Sequence, residues 1–168
     1  NDIILPISFD ETKEASKMNI ATRLSALNFL DNGGAIGVFP GGTVSTSQRP
    51  FGVPMDPGWR SFTAKMITRS DAQVVPIFFE GHNSRLFQVA SHIHYNLRMG
   101  LLIKEFKSKV GNPVKIAIGN PLSDTAIKSR SGNPRILMDF LREETYKLSR
   151  TPLDNFNYGY EFESRYKI

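Results

Sequence analysis

Ala35-Ile36-Gly37-Val38-Phe39-Pro40-Gly41-Gly42-Thr43 is the stretch that decides how this chain is organised. Ala35 to Phe39 is short, apolar and bounded by glycine and proline, which predicts a buried strand. Pro40 to Pro54 then forms a loop rich in Gly, Ser, Thr and Pro. Upstream, Ile20, Leu24, Leu27 and Leu30 recur at helical spacing, and Asn32-Gly33-Gly34 supplies a stop. Downstream, Asp56-Pro57 has the form of an N-cap followed by proline at the first helical position. The helix it opens would bury Trp59, Phe62, Met66 and Ile67, as core rather than cofactor contacts. Val74-Val75-Pro76-Ile77-Phe78-Phe79 is the next strand, closed by Glu80-Gly81.

Outward from this centre, Ile3 to Ile7 predicts another buried strand. Because the chain opens with Asn inside such a strand, further sequence is expected ahead of it. The region from His82 to Arg98 carries no clear pattern. Leu101, Leu102, Ile103 and Phe106, interleaved and followed by Lys104, Lys107 and Lys109, predict an amphipathic helix. Val114, Ile116 and Ile118 alternate as in a strand. Asn133-Pro134 repeats the cap-and-proline signal ahead of Leu137, Phe140, Leu141 and Leu148. Pro152 to Ile168 has no periodicity, and no internal repeat is present. Alternating strands and helices predict a single α/β domain over residues 1–168, with a largely parallel or mixed sheet flanked by helices. Ligands of such sheets bind beyond the carboxyl ends of the strands. The loops after Phe39 and after Phe79 should therefore face each other.

Composition sets the limits. With 168 residues the chain can bury one core, and 40% apolar with 22% charged residues is ordinary for a globular protein. No window approaches the roughly 18 uncharged apolar residues of a membrane-spanning helix. Cysteine is absent, which excludes disulfides, thiolate metal sites and cysteine nucleophiles and fits a reducing compartment. A net charge of +5 suits an anionic partner such as a membrane surface or a phosphorylated ligand. Charge alone would also allow nucleic acid, but no aromatic-basic motif supports it.

In the loop after Phe39, Gly41 and Gly42 let backbone N–H groups approach an anion closely. Hydroxyls of Thr43, Ser45, Thr46 and Ser47 add hydrogen bonds, and Arg49 offers a charged fork. A tight polar surface turn is the other reading of the same residues. It is not a nucleotide-binding P-loop, because Thr43 stands where that motif requires lysine. No GxGxxG fingerprint and no GxSxG nucleophile elbow occurs.

Residues from Gly34 to Gly81 resemble the phospholipid and glycerol acyltransferase (lysophospholipid acyltransferase) superfamily. Val38-Phe39-Pro40-Gly41-Gly42-Thr43 is similar to its FPEGT block, and Val74-Val75-Pro76-Ile77 with Gly81 to its later VPV-type block. Asp56-Pro57-Gly58-Trp59, Glu80-Gly81-His82-Asn83-Ser84 and Leu101-Leu102-Ile103-Lys104-Glu105 resemble the hemolysin-like branch. The resemblance implies a glycerolipid acyltransferase-like fold. It also implies transfer of a fatty acyl group from acyl-CoA or acyl carrier protein to a lysophospholipid, another lysolipid or a glycerol-phosphate-like hydroxyl. Gly41, Gly42, Thr43 and Ser45, with Arg49, would hold the acceptor's anionic head, and Pro76 and Gly81 would wall the reacting carbonyl. The implied protein is cytoplasmic, peripheral to the inner face of the membrane, and needs no metal or other cofactor.

Two departures from the family pattern matter. Gly41 stands where the block has glutamate, and Val44 where it has arginine, which points to an acceptor other than plain glycerol phosphate. The family's reaction uses HxxxxD, in which histidine deprotonates the acceptor hydroxyl and aspartate orients the imidazole. Positioned general-base help of this kind contributes roughly 10²–10⁴-fold. Here Phe87, Leu97 and Met99 occupy the fifth position after His82, His92 and His94. The catalytic pair is expected outside this chain, which by itself should be inactive. A lipid- or phosphate-binding module that kept the fold without the base is the alternative.

His82, just past a strand end, is a candidate ligand contact. His92 and His94 would share one face of a strand, but no third ligand accompanies them, so they read as structural. The segment Arg98 to Lys109 is either a solvated helix packed on the sheet or a surface for an anionic bilayer.

Overall fold

Thr12 turns its hydroxyl to the Ala15 N–H at 3.1 Å and so caps the first helix, α1 (Lys13–Asp31). The computed structural model of the protein describes residues 4, 5, 7, 8 and 12–161. Ile4, Leu5 and Ile7 form no strand, and Ile3 and Pro6 of that expected element lie outside the described residues. In α1 the buried seam consists of Ala15, Thr22 and Ala26, while Ile20 and Leu24 are exposed. The apolar spacing gave the helix correctly but not the face it buries.

The chain from Ala35 to Phe39 forms no strand and leaves Phe39 exposed, which corrects the buried strand expected there. It leads into a hairpin of β1 (Thr46–Ser47) and β2 (Pro54–Met55), paired antiparallel. Helix α2 (Phe62–Ile67) starts later than Asp56-Pro57 suggested, with Ser61 as its N-cap. The Asp56 carboxylate is engaged elsewhere, as described below.

β3 (Ile77–Phe79) is followed by α3 (Arg85–Ile93), α4 (Tyr95–Lys109) and β4 (Ile116–Ile118). β3 and β4 pair antiparallel, Ile77 with Ile118 and Phe79 with Ile116. The ladder continues through Gly119 N–H to Pro76 C=O, Leu122 N–H to Val74 C=O and Glu80 N–H to Lys115 C=O, each at 2.9 Å. The expected parallel sheet is thus corrected for the described strands. The packed pair α3 and α4 returns the chain to the end where β3 stops, so β4 runs back alongside it without a crossover.

α5 (Asp124–Lys128) and α6 (Pro134–Tyr146) complete the elements. Asn133 caps α6 as its sequence predicts, accepting from Arg135 N–H at 3.0 Å, with proline in the first turn. Leu137, Met138 and Leu141 of α6 pack with Ala64 and Ile127, and Trp59, Ile67 and Phe140 lie against them. Burying each large aliphatic side chain here contributes about 1.5–3 kcal/mol. Phe78 faces Tyr146 of α6, ring centroids 5.5 Å apart, so one face of the β3–β4 ribbon is covered. Its other face, with Ile77, Phe79, Ile116 and Ile118, is exposed.

The unpatterned region after His82 contains α3. Ser84 caps it, and its buried face is mixed: Phe87 and Ala90 with Gln88 and Ser91. Polar residues on the inner face hide the helix from an apolar template. His92 lies within α3 and His94 joins α3 to α4, which corrects their expected placement on a strand.

Candidate active site: the glycine-hydroxyl loop and its buried arginine

Phe39 and Phe79 end the two segments singled out by sequence, and their rings meet with centroids 5.7 Å apart. The turns that follow them therefore leave from neighbouring points.

After Phe39 the chain turns through Gly41 and Gly42. Gly42 sits at φ 68°, a conformation glycine adopts without strain, and its N–H reaches the Phe39 carbonyl at 3.4 Å. Gly41 is buried, and a Cβ there would meet the Asp56 carboxyl carbon at 3.4 Å. Asp56 fixes the loop from several sides. Its carboxylate accepts from Ser45 Oγ at 2.5 Å and from Trp59 Nε1 at 3.0 Å. Its N–H donates to the Tyr146 hydroxyl at 2.8 Å, and its carbonyl accepts from Arg142 at 3.0 Å and from Gly159 N–H at 2.8 Å. Burial, the largest cause, and the nearby Asp56 charge push the Tyr146 phenol up to about 12.

Beneath the same loop lies Arg98 of α4, 4% exposed. Its Nη1 donates to Thr46 Oγ1 at 2.9 Å and to Ser91 Oγ at 2.8 Å, and Nη2 reaches Thr43 Oγ1 at 3.4 Å. Its guanidinium carbon stands 4.8 Å from the Phe87 ring centroid. Desolvation lowers the Arg98 pKa, opposed by the phenols of Tyr160 and Tyr95. Arginine keeps its charge even so. Gln88 of α3, fully buried, accepts from Ser47 N–H at 2.9 Å, and its amide nitrogen has no hydrogen-bond partner. His92 Nε2 donates to the Ser47 carbonyl at 2.9 Å. The hairpin is thus held from below by α3 and α4.

The second turn passes through Gly81 at φ 100° to His82, which is exposed and donates from Nδ1 to the Asn83 carbonyl at 2.9 Å. Ser84 then donates its N–H to Glu105 at 3.0 Å and bonds Glu105 through its hydroxyl as well. Burial raises the Glu105 carboxyl, but these two bonds, with Lys109 and Lys104 nearby, outweigh it and hold the group below the ordinary range.

Of the residues singled out by sequence, Gly41, Gly42, Thr43 and Ser45 share the first turn, and Gly81 and His82 the second. Arg49 is exposed near the hairpin's far end. Pro76 is buried and lines a separate cavity of about 360 Å³ with Gly119, Leu122, Phe140 and Leu148. Sequence reading missed Arg98, Asp56 and Gln88. Arg98 reads as one more cation of a basic helix, and only the inward face of α4 distinguishes it.

An acyltransferase family model matches residues 4–155. The chain belongs to an acyltransferase family. No curated protein and no solved structure matches it. The match spans both turns, the Arg98 helix and α6, while the tail residues Gly159 and Tyr160 that bond Asp56 and Thr46 lie beyond it. Among the described residues no group of three His, Cys, Asp or Glu side chains could hold a metal ion, and no helix is long and apolar enough to cross a membrane.

Proposed function

We propose that this acyltransferase moves a fatty acyl group from acyl-CoA or acyl carrier protein to the hydroxyl of a lysophospholipid, another lysolipid or a glycerol-phosphate-like acceptor. The observation that carries the reading is the glycine-hydroxyl turn lying on a buried arginine. Gly41 N–H and the Thr43 hydroxyl would be presented to an anionic head, Gly42 and Ser45, bonded to the Phe39 carbonyl and to Asp56, would hold the turn's shape around it, and Arg98 beneath them would add positive potential. Arg98 then takes part of the place that the family's loop arginine would have, since Val44 stands there. Gly81 and His82 would border the acyl carbonyl, with Arg49 and Pro76 further off.

In the reaction the acceptor oxygen attacks the thioester carbonyl, the carbon–sulfur bond breaks, and the thiol leaves. A histidine takes the hydroxyl proton. No histidine of this chain has aspartate five positions on, so the base would come from an HxxxxD segment outside these 168 residues, with this chain forming a single domain around the acceptor loop. The hemolysin-like branch and a cytoplasmic place, peripheral to the inner face of a membrane, go with this reading.

The test is an acyl-transfer assay on the complete protein with acyl-CoA and acyl carrier protein donors and a panel of lysolipids. Thiol release matched by acylated lipid supports the reading, with Thr43→Ala raising the acceptor KM through a lost contact and Ser45→Ala raising it through loss of the Asp56 bond that shapes the turn. Transfer by the 168-residue chain alone would sink the external base. Lysolipid binding without any turnover by the complete protein would instead favour a non-catalytic lipid-binding module, the alternative that the missing HxxxxD supports.

A further inference from the structure

The helix α4 is turned inside out relative to its apolar pattern. Its buried residues are Arg98 and Glu105, whereas Ile103 is 62% and Phe106 72% exposed. Met99, Ile103, Phe106 and Val110 recur at intervals of four, three and four, and so form one outward stripe. Lys104 and Lys107 lie beside this stripe and are exposed. The helix holds a single acidic residue, Glu105, and its carboxylate is committed inward to Ser84. The outer face of α4 is therefore apolar and cationic with no anion on it.

We infer that this face docks on an anionic lipid bilayer, with Ile103 and Phe106 entering the headgroup and acyl boundary and Lys104 and Lys107 meeting lipid phosphates. A helix lying in the interface gains from apolar burial and from each cation near a negative surface. Charge complementarity selects this occupant: a second copy would set the same lysines against each other, whereas an anionic bilayer neutralises them. The inference deepens the lysolipid reading, on which it rests. One face of α4 meets the bilayer while its inner side, through Arg98, holds the loop proposed to take the lipid head.

The test is co-sedimentation of the 168-residue chain with phosphatidylcholine vesicles with and without phosphatidylglycerol, which needs neither acyl donor nor turnover. Binding should require phosphatidylglycerol and weaken in high salt. Ile103→Ser with Phe106→Ser should lower it about tenfold or more, and Lys104→Glu with Lys107→Glu should abolish the dependence on phosphatidylglycerol. Leu24→Ser, an exposed apolar position on α1, should leave it unchanged, and circular dichroism should show every variant folded. Equal loss in Leu24→Ser, no loss in the α4 variants, or a dimer in sedimentation velocity that the Ile103 and Phe106 changes dissolve would each overturn the assignment. Vesicle binding without acyl transfer by the complete protein would uphold this surface and remove only the enzymatic reading.

Discussion

The Arg98 guanidinium donates to Thr46 Oγ1 at 2.9 Å across 52 residues of chain, joining the inner face of α4 to the hairpin that follows the diglycine turn. Arg98→Ala would leave the hydroxyls of Thr46 and Ser91 without that donor in a buried place. Hydrogen bonds to a charged group contribute about 1.5–3 kcal/mol each, so a loss of at least about 2 kcal/mol in urea unfolding is expected. Arg98→Lys should recover only part of it, because an ammonium cannot reproduce the planar fork.

Tyr146 gives the fold an alkaline limit. Its phenol is raised from 10.0 to about 12, so the folded state holds the proton more tightly than the unfolded chain. That contribution is complete below pH 10 and is lost as pH rises toward 12, amounting to roughly 2 kcal/mol by pH 12. Unfolding free energy measured from pH 9 to 12 should fall accordingly. Tyr146→Phe should flatten this slope while lowering stability at pH 8, since Asp56 N–H loses its acceptor.

Glu105 sets an acid limit of the opposite sign. Its carboxyl is held below the ordinary value of 4.5 in the folded state. The stability this gives is present above that value and is lost as pH falls through the lower folded one. Glu105→Gln should reduce the dependence of unfolding on pH as pH falls below the ordinary carboxylate value of 4.5. Amide exchange in the first turn of α3, whose cap Ser84 loses its ionic partner, should rise in the same variant.

Gly159 carries the tail across the hairpin. A Cβ at this residue would lie 1.8 Å from the Met55 carbonyl oxygen, a backbone atom that cannot turn aside. Gly159→Ala should detach the tail, with the bonds from Gly159 N–H to Asp56 and from Tyr160 N–H to Thr46 lost. Limited proteolysis would then cut between Leu153 and Tyr160, where the parent resists.

Arg142 ties the same tail to α6, donating to the carbonyls of Phe156 at 2.7 Å, Asn157 at 2.9 Å and Asp56 at 3.0 Å. Arg142 is only 1% exposed and makes all three bonds from inside the protein, so Arg142→Ala should cost about 3 kcal/mol or more in chemical denaturation. Arg142→Lys should rescue little, since one ammonium cannot span three carbonyls.

The sequence by itself determined the helix α1, the strand β3, the cap of α6 at Asn133, the absence of cysteine chemistry and the family resemblance that the acyltransferase match bears out. These rest on local signals: spacing, capping residues and short ordered blocks. Only the tertiary structure decided that β3 and β4 run antiparallel, that α1 and α4 turn apolar residues outward, and that α3 exists with Gln88 and Ser91 inside. It alone placed the Arg98 side chain beneath the diglycine loop. The reason is physical: a helix pattern fixes which residues share a face, but the partner across the interface decides which face is buried, and hydroxyls from Thr43, Thr46 and Ser91 make an arginine the inward choice.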